Sequence, residues 1–139
     1  MGVVSLKAMN ELIERAQQIL VHAYAPYSGF PVAAVLRSDS GKIYCGVNVE
    51  NRSYPASRCA EQNAVAAMVA AGERVIAEIV IMSRAAPPAT PCGICRQVLF
   101  EFAGPELPVL SVNLSGDEQR FTLGELLPHA FSSDLNHEL

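Results

Sequence analysis

The sequence predicts an α/β fold, a three-layer α/β/α sandwich built on a single mixed five-stranded sheet. Three observations predict it. Apolar runs of strand length alternate with segments of helical periodicity, which calls for one sheet covered on both faces. The first two strand-like runs flank a tight turn and read as an antiparallel hairpin. The later apolar runs are expected to pair in parallel.

Each element has its own signal. Leu6, Met9, Leu12, Ile13, Ala16, Ile19 and Leu20 recur at intervals of three and four, marking an amphipathic helix from about Leu6 to His22. Ala25-Pro26-Tyr27-Ser28-Gly29-Phe30-Pro31, dense in Pro and Gly, stops it. Val32 to Arg37 is an apolar strand, Ser38 to Gly41 a turn, and Lys42 to Asn48 the returning strand. Glu50 to Arg58 holds Asn, Ser and Pro and reads as irregular. Cys59 to Ala71 is Ala-rich and helical, with Gly72 as its C-terminal cap. Ile76 to Met82 is an apolar strand interrupted by Glu78, and Ala85 to Pro91 a proline-rich loop. Gly93 to Phe102 is a third helix, ended by Gly104-Pro105. Pro108 to Asn113 and Glu118 to Thr122 are short strands, and Leu123 to Leu127 is a helical turn. The order is αββαβαββ, read as one domain over residues 1–139 without internal repeats.

Composition narrows the function. Half the residues are hydrophobic and only 17% are charged, against about 25% in an ordinary domain. So much apolar surface on a short chain favours a homo-oligomer, with a well-filled monomer as the alternative. The net charge is −4 and no run of Lys or Arg could track a phosphate backbone, which argues against a long nucleic acid and for a small ligand. No 18-residue apolar stretch predicts a membrane span. Met1 to Asn10 lacks a basic segment followed by an apolar one, so no secretory signal is read and a cytoplasmic, reducing location is expected. There the four cysteines are metal ligands or core residues rather than disulfides.

Two segments carry chemistry: Cys59-Ala60-Glu61 and Pro91-Cys92-Gly93-Ile94-Cys95. Each lies where a loop becomes a helix. Helix N-termini carry partial positive charge and lower thiol pKa values. Three converging thiolates, Cys59, Cys92 and Cys95, make a site for Zn²⁺. Cys45 sits mid-strand and reads as a buried core residue. His22, His129 and His137 have no partner at ligand spacing. Three protein ligands with one open position is the pattern of catalytic zinc, whose bound water titrates near neutral pH. Glu61 sits in a helical first turn, where its carboxylate can shuttle a proton from such a water to a departing amine. The alternative role for Glu61 is to complement the helix dipole.

Cysteine, any residue, glutamate, then Pro-Cys-x-x-Cys resembles the zinc-deaminase signature. Beyond these segments, Tyr27-Ser28-Gly29-Phe30-Pro31-Val32, Asn48-Val49-Glu50-Asn51 with Ser53-Tyr54-Pro55, and Glu125-Leu126-Leu127-Pro128 with Phe131 resemble the small homotetrameric cytidine deaminases, over about Ala23 to Asp134. The resemblance implies hydrolysis of cytidine and deoxycytidine with release of ammonia, one zinc per chain, a pyrimidine nucleoside as partner, and a homotetramer. It implies Glu61 as the catalytic proton shuttle and Asn48 and Glu50 as ligands of the ribose hydroxyls. An amide and a carboxylate one pleat apart can grip a diol, although Asn48 and Asn51 could instead bond local backbone. Phe30, also readable as an ordinary core residue, and Ala60 are implied at the base pocket. Tyr54 and Phe131 are implied to reach a neighbouring subunit's pocket.

The sequence departs from the family in two places. Gln62 stands where such enzymes commonly carry Arg. Zinc with three thiolates carries net −1, which a nearby cation would offset; helix dipoles with Arg58 or Arg96 are expected to compensate. Ala33 stands where the family usually has Gly and is expected to crowd the pocket wall. Two other functions fit the same residues: a same-fold deaminase of a modified cytosine nucleoside, such as an aminoacylnucleoside antibiotic, and a non-enzymatic module around structural zinc.

Overall fold

The computed structural model describes residues 6–132. Met1 to Ser5, Asp134 and His137 lie outside the described residues. In chain order the elements are α1 (Leu6–Leu20), β1 (Ala33–Ser38), β2 (Ile43–Val47), α2 (Ala60–Ala70), β3 (Ile76–Ser83), α3 (Gly93–Glu101), β4 (Pro108–Asn113), β5 (Glu118–Thr122) and α4 (Leu123–Leu126). A short 3-10 turn, Tyr54–Ala56, precedes α2. The five strands form one mixed sheet in the order β2-β1-β3-β4-β5. β1 runs antiparallel to β2 and β3, the apolar pair β3 and β4 is parallel, and β5 closes the edge antiparallel to β4.

The period-two alternation of strand side chains sorts the core into two halves. Ala34, Leu36, Ile79, Ile81 and Val109 pack with Ala60, Ala64, Met68 and Leu99 of α2 and α3. Ala33, Val35, Val80, Met82, Leu110 and Val112 pack on the opposite face with Met9, Leu12, Ala16 and Leu20 of α1. The three layers read from the sequence are therefore present. Two details differ. α1 ends at Leu20 rather than His22, because the His22 and Ala23 amides bond Ile19 and Leu20 carbonyls in a tightened last turn. Ala33 is fully buried against α1, on the far side of the sheet from α2, so it does not crowd the pocket wall. Its neighbour Val32 lines the cleft instead.

The seating of α2 depends on Gly46 of β2. A Cβ built there would lie 2.4 Å from both the Ala60 carbonyl and the Ala64 amide. These are backbone atoms of the helix that carries Cys59 and Glu61 at its start, so relief requires the whole helix to move. Gly46→Ala is expected to cost about 3 kcal/mol, or roughly 5–15 °C in melting temperature for a domain of this size. Thermal unfolding checks this, and an unchanged melting temperature would mean that the approach is not tight.

Candidate active site

Cys59 and Cys92 are the N-cap residues of α2 and α3, in extended backbone with ψ of 157° and 169°. Neither side chain caps its helix, so both sulfurs are free to face outward. Cys95 lies in the first turn of α3 and is fully buried. The three sulfurs all lie within 4.8 Å of one another, with Cys59 and Cys92 Sγ 3.9 Å apart. Tetrahedral zinc with Zn–S bonds of about 2.3 Å separates its sulfurs by roughly 3.8 Å, so the cluster fits the ion. Among the described residues the group has these three members, and neither Cys45, His22 nor His129 joins it. In the metal-free chain, hydrogen bonding from Cys95 and then Cys92, with the charge of Arg58, holds the Cys59 thiol down to about 6 against burial. Cys95 is shifted far up by the hydrogen bond it gives Cys59 and by burial. Cys59, Cys92 and Cys95 are thus positioned to bind one metal ion, with Cys59 predisposed to the thiolate form.

Glu61 lies two residues into α2 and is 4% exposed. Burial pushes its carboxyl up to about 7, with a contribution from Cys59 and opposition from its own backbone N–H. A group at that value exchanges protons readily near neutral pH.

A cleft of about 280 Å³ opens over this cluster, lined by Cys59, Ala60, Glu61 and Cys92 on one side and by Phe30, Val32, Asn48 and Glu50 on the other. Small-molecule sites run from about 300 Å³ upward, so the cleft suits a compact ligand. Asn48 and Glu50 lie just past β2, where extended pairing continues. The Val49 amide and carbonyl bond Arg58, and Tyr24 bonds the Asn48 carbonyl and the Glu50 amide. This ties the Asn48–Glu50 segment directly to the residue before Cys59. Both side chains also secure the Pro- and Gly-rich loop. Asn48 accepts from the Val32 amide at 2.9 Å and donates to the Phe30 carbonyl at 2.9 Å. Glu50 accepts from the Tyr27 and Ser28 amides, each at 3.0 Å, and from the Ser28 hydroxyl. One N–H of Asn48 and part of each acceptor's capacity remain for a ligand.

The region from residue 6 to residue 111 matches the family described as the cytidine and deoxycytidylate deaminase zinc-binding region. The chain belongs to this family. Among similar deaminases, the cytidine deaminase of Sporosarcina psychrophila is 40% identical over 91% of this chain and 93% of that protein. That of Halalkalibacterium halodurans is 40% identical over 88% of this chain and 93% of its own length. The crystal structure of cytidine deaminase from Burkholderia pseudomallei superimposes with a TM-score of 0.84 at 44% identity, covering 88% of this chain and 98% of that one.

Not every residue singled out from the deaminase sequence lines the cleft. Tyr54 is 73% exposed and meets Tyr27 edge-on at 6.0 Å, beside an adjoining hollow that also touches Ser28, Glu50 and Ser57. Phe131 is 78% exposed, and its carbonyl accepts from Gln97 Nε2 at 3.2 Å. Gln62 is half-buried and outside the cleft lining. Arg96 spends its guanidinium on the Pro91 carbonyl (2.7 Å), the Leu126 carbonyl (2.7 Å) and Thr90 Oγ1 (3.0 Å). It therefore clamps the turn before Cys92 against α4, itself started by a Thr122–Glu125 capping box. Of the two cations expected to offset thiolate charge, Arg58 acts on Cys59. Ser28, Val32, Ile81, Ala89 and Thr90 line the cleft without having been read from the sequence. Of these only Ser28 and Val32 carried a signal, their place in the Tyr27–Val32 segment.

Proposed function

We propose that this chain hydrolyses cytidine and deoxycytidine to uridine and deoxyuridine, releasing ammonia. The observation that carries the reading is a buried carboxyl, Glu61, lining one small cleft together with Cys59 and Cys92, two of three converging cysteines. Zinc, when bound, supplies Lewis acidity that lowers the pKa of a water molecule towards neutrality. Cys59, Cys92 and Cys95 hold the ion. Glu61 takes a proton from the attacking water and gives it to N3 of the pyrimidine as oxygen adds at C4. It then takes the remaining proton from the hydroxyl now on C4 and passes it to the exocyclic amine, so that the C4–N bond breaks, ammonia leaves and C4 becomes a carbonyl. Ala60, small and fully buried at the start of α2, leaves room for the ring edge, and Phe30 packs beside the base. Asn48 and Glu50 take the ribose hydroxyls with the hydrogen-bonding capacity the loop leaves them.

The exposure of Tyr54 and Phe131 supports a homotetramer in which these rings complete a neighbour's site. A reducing cytoplasm suits three ligand thiols, and among the described residues no helix is long and apolar enough to cross a membrane. Arg96 acts as a clamp on the Cys92 turn, and Arg58 offsets the charge that Gln62 does not. It follows that Gln62→Arg should move the acid limb of the kcat–pH profile to lower pH, since an added cation favours ionisation of the attacking water. Coincident profiles for the two proteins would make charge at residue 62 irrelevant.

The assay for the function is ammonia release from a panel of cytidine, deoxycytidine and an aminoacylated cytosine nucleoside. Turnover of the first two supports the proposal. Turnover of the third alone would move the function to modified nucleosides. Bound zinc with no ammonia from any substrate would favour the structural-zinc module.

A further inference from the structure

We infer that Ser28 is a positioning residue for nucleoside recognition, orienting Glu50 towards the sugar hydroxyls. The inference rests on the reading of Glu50 as a ribose ligand. Ser28 lies in the loop between α1 and β1, and it lines both the cleft and the adjoining hollow. Its hydroxyl accepts from the Phe30 amide at 3.0 Å, which turns its single proton outward, towards Glu50 Oε2. The other carboxylate oxygen, Oε1, already accepts from the Tyr27 and Ser28 amides. One oxygen is thus pinned by rigid backbone donors and the other by a single hydroxyl. Removing that hydroxyl frees the carboxylate to rotate about its Oε1 anchor, and Oε2 loses its fixed direction.

The hydroxyl also accepts from the Phe30 amide, but Asn48 Nδ2 holds the Phe30 carbonyl independently, so the ring beside the base keeps its anchor when the hydroxyl is removed. Hydrogen bonding to Ser28, foremost through its hydroxyl, keeps the Glu50 carboxyl below the usual range, so it stays an acceptor for a substrate hydroxyl at neutral pH. Ser28 itself is exposed, so loss of its hydroxyl leaves no cavity in the core.

The test compares cytidine with 2′,3′-dideoxycytidine, which lacks the hydroxyls that Glu50 would take. In the wild type, kcat/KM should favour cytidine. Ser28→Ala should cut that preference about tenfold, the weight of one hydrogen bond to a charged group. The loss should fall on KM for cytidine, with kcat within about twofold and the dideoxynucleoside little affected. Ser28→Thr keeps the hydroxyl and should restore the preference. Equal losses for both substrates, or a loss in kcat alone, would overturn the role of Ser28 while leaving Glu50 in place. A wild type that takes both nucleosides equally would overturn the Glu50 reading and the Ser28 inference with it. Absence of deamination altogether would be the separate failure of the proposed activity.

Discussion

Glu61→Gln should retain zinc and fold yet lose about 10²–10⁴ in kcat, the usual weight of a positioned acid–base group. The substitution keeps the shape of a side chain that is 4% exposed in the first turn of α2. It removes only the ability to accept and return a proton. It also replaces a carboxyl that burial pushes up to about 7 with an amide that has no titration in reach. Because the metal is held by sulfurs alone, zinc content should stay at one per chain. Stopped assays with cytidine, alongside metal analysis of the same sample, separate the two effects. Activity within tenfold of the wild type would remove Glu61 from the proton path.

Cys95→Ala is expected to have the largest effect of any single change. Cys95 is fully buried, and among the described residues the metal-ligating group has no member besides Cys59, Cys92 and Cys95 to replace it. Two sulfurs are too few to hold zinc against mild chelation, and turnover should fall below detection. The structural readout is independent of activity. Zinc at about one hundred times its dissociation constant stabilises the wild type by about 2.7 kcal/mol, a rise of roughly 5–15 °C in melting temperature over the chelator-treated protein. Cys95→Ala should show no such rise on adding zinc. A variant that still gained stability from zinc would place the ion elsewhere.

Much of the fold was legible because its elements obey clean periodicities. α1 buries Met9, Leu12, Ala16 and Leu20 at spacings of three and four, and the sheet strands sort alternate residues onto opposite helices. The sequence does not say which face a given strand residue takes, because a shift of one residue exchanges the faces. Ala33, which the family comparison at that position places at the pocket wall, lies against α1 instead. The thiol cluster was legible because Cys-x-x-Cys on a helix start leaves few other purposes for two sulfurs. The supporting parts were not. Arg96 reads as a charge near sulfurs, but its three hydrogen bonds go to Pro91, Thr90 and Leu126, and the last of these is thirty residues away. Likewise, Asn48 reads as a ribose ligand or as bonding local backbone and Glu50 as a ribose ligand, and hydrogen-bond partners on residues 27–32 take about half the capacity of Asn48 and most of that of Glu50. Such partnerships depend on tertiary proximity, for which no local spacing exists.

Zinc-edge X-ray absorption of the purified protein tests the central claim most directly, because it counts the atoms around the ion. Three sulfurs at about 2.3 Å and one lighter oxygen or nitrogen neighbour is the result that a catalytic site built on Cys59, Cys92 and Cys95 predicts. Four sulfurs, or a shell with fewer than three, would contradict it.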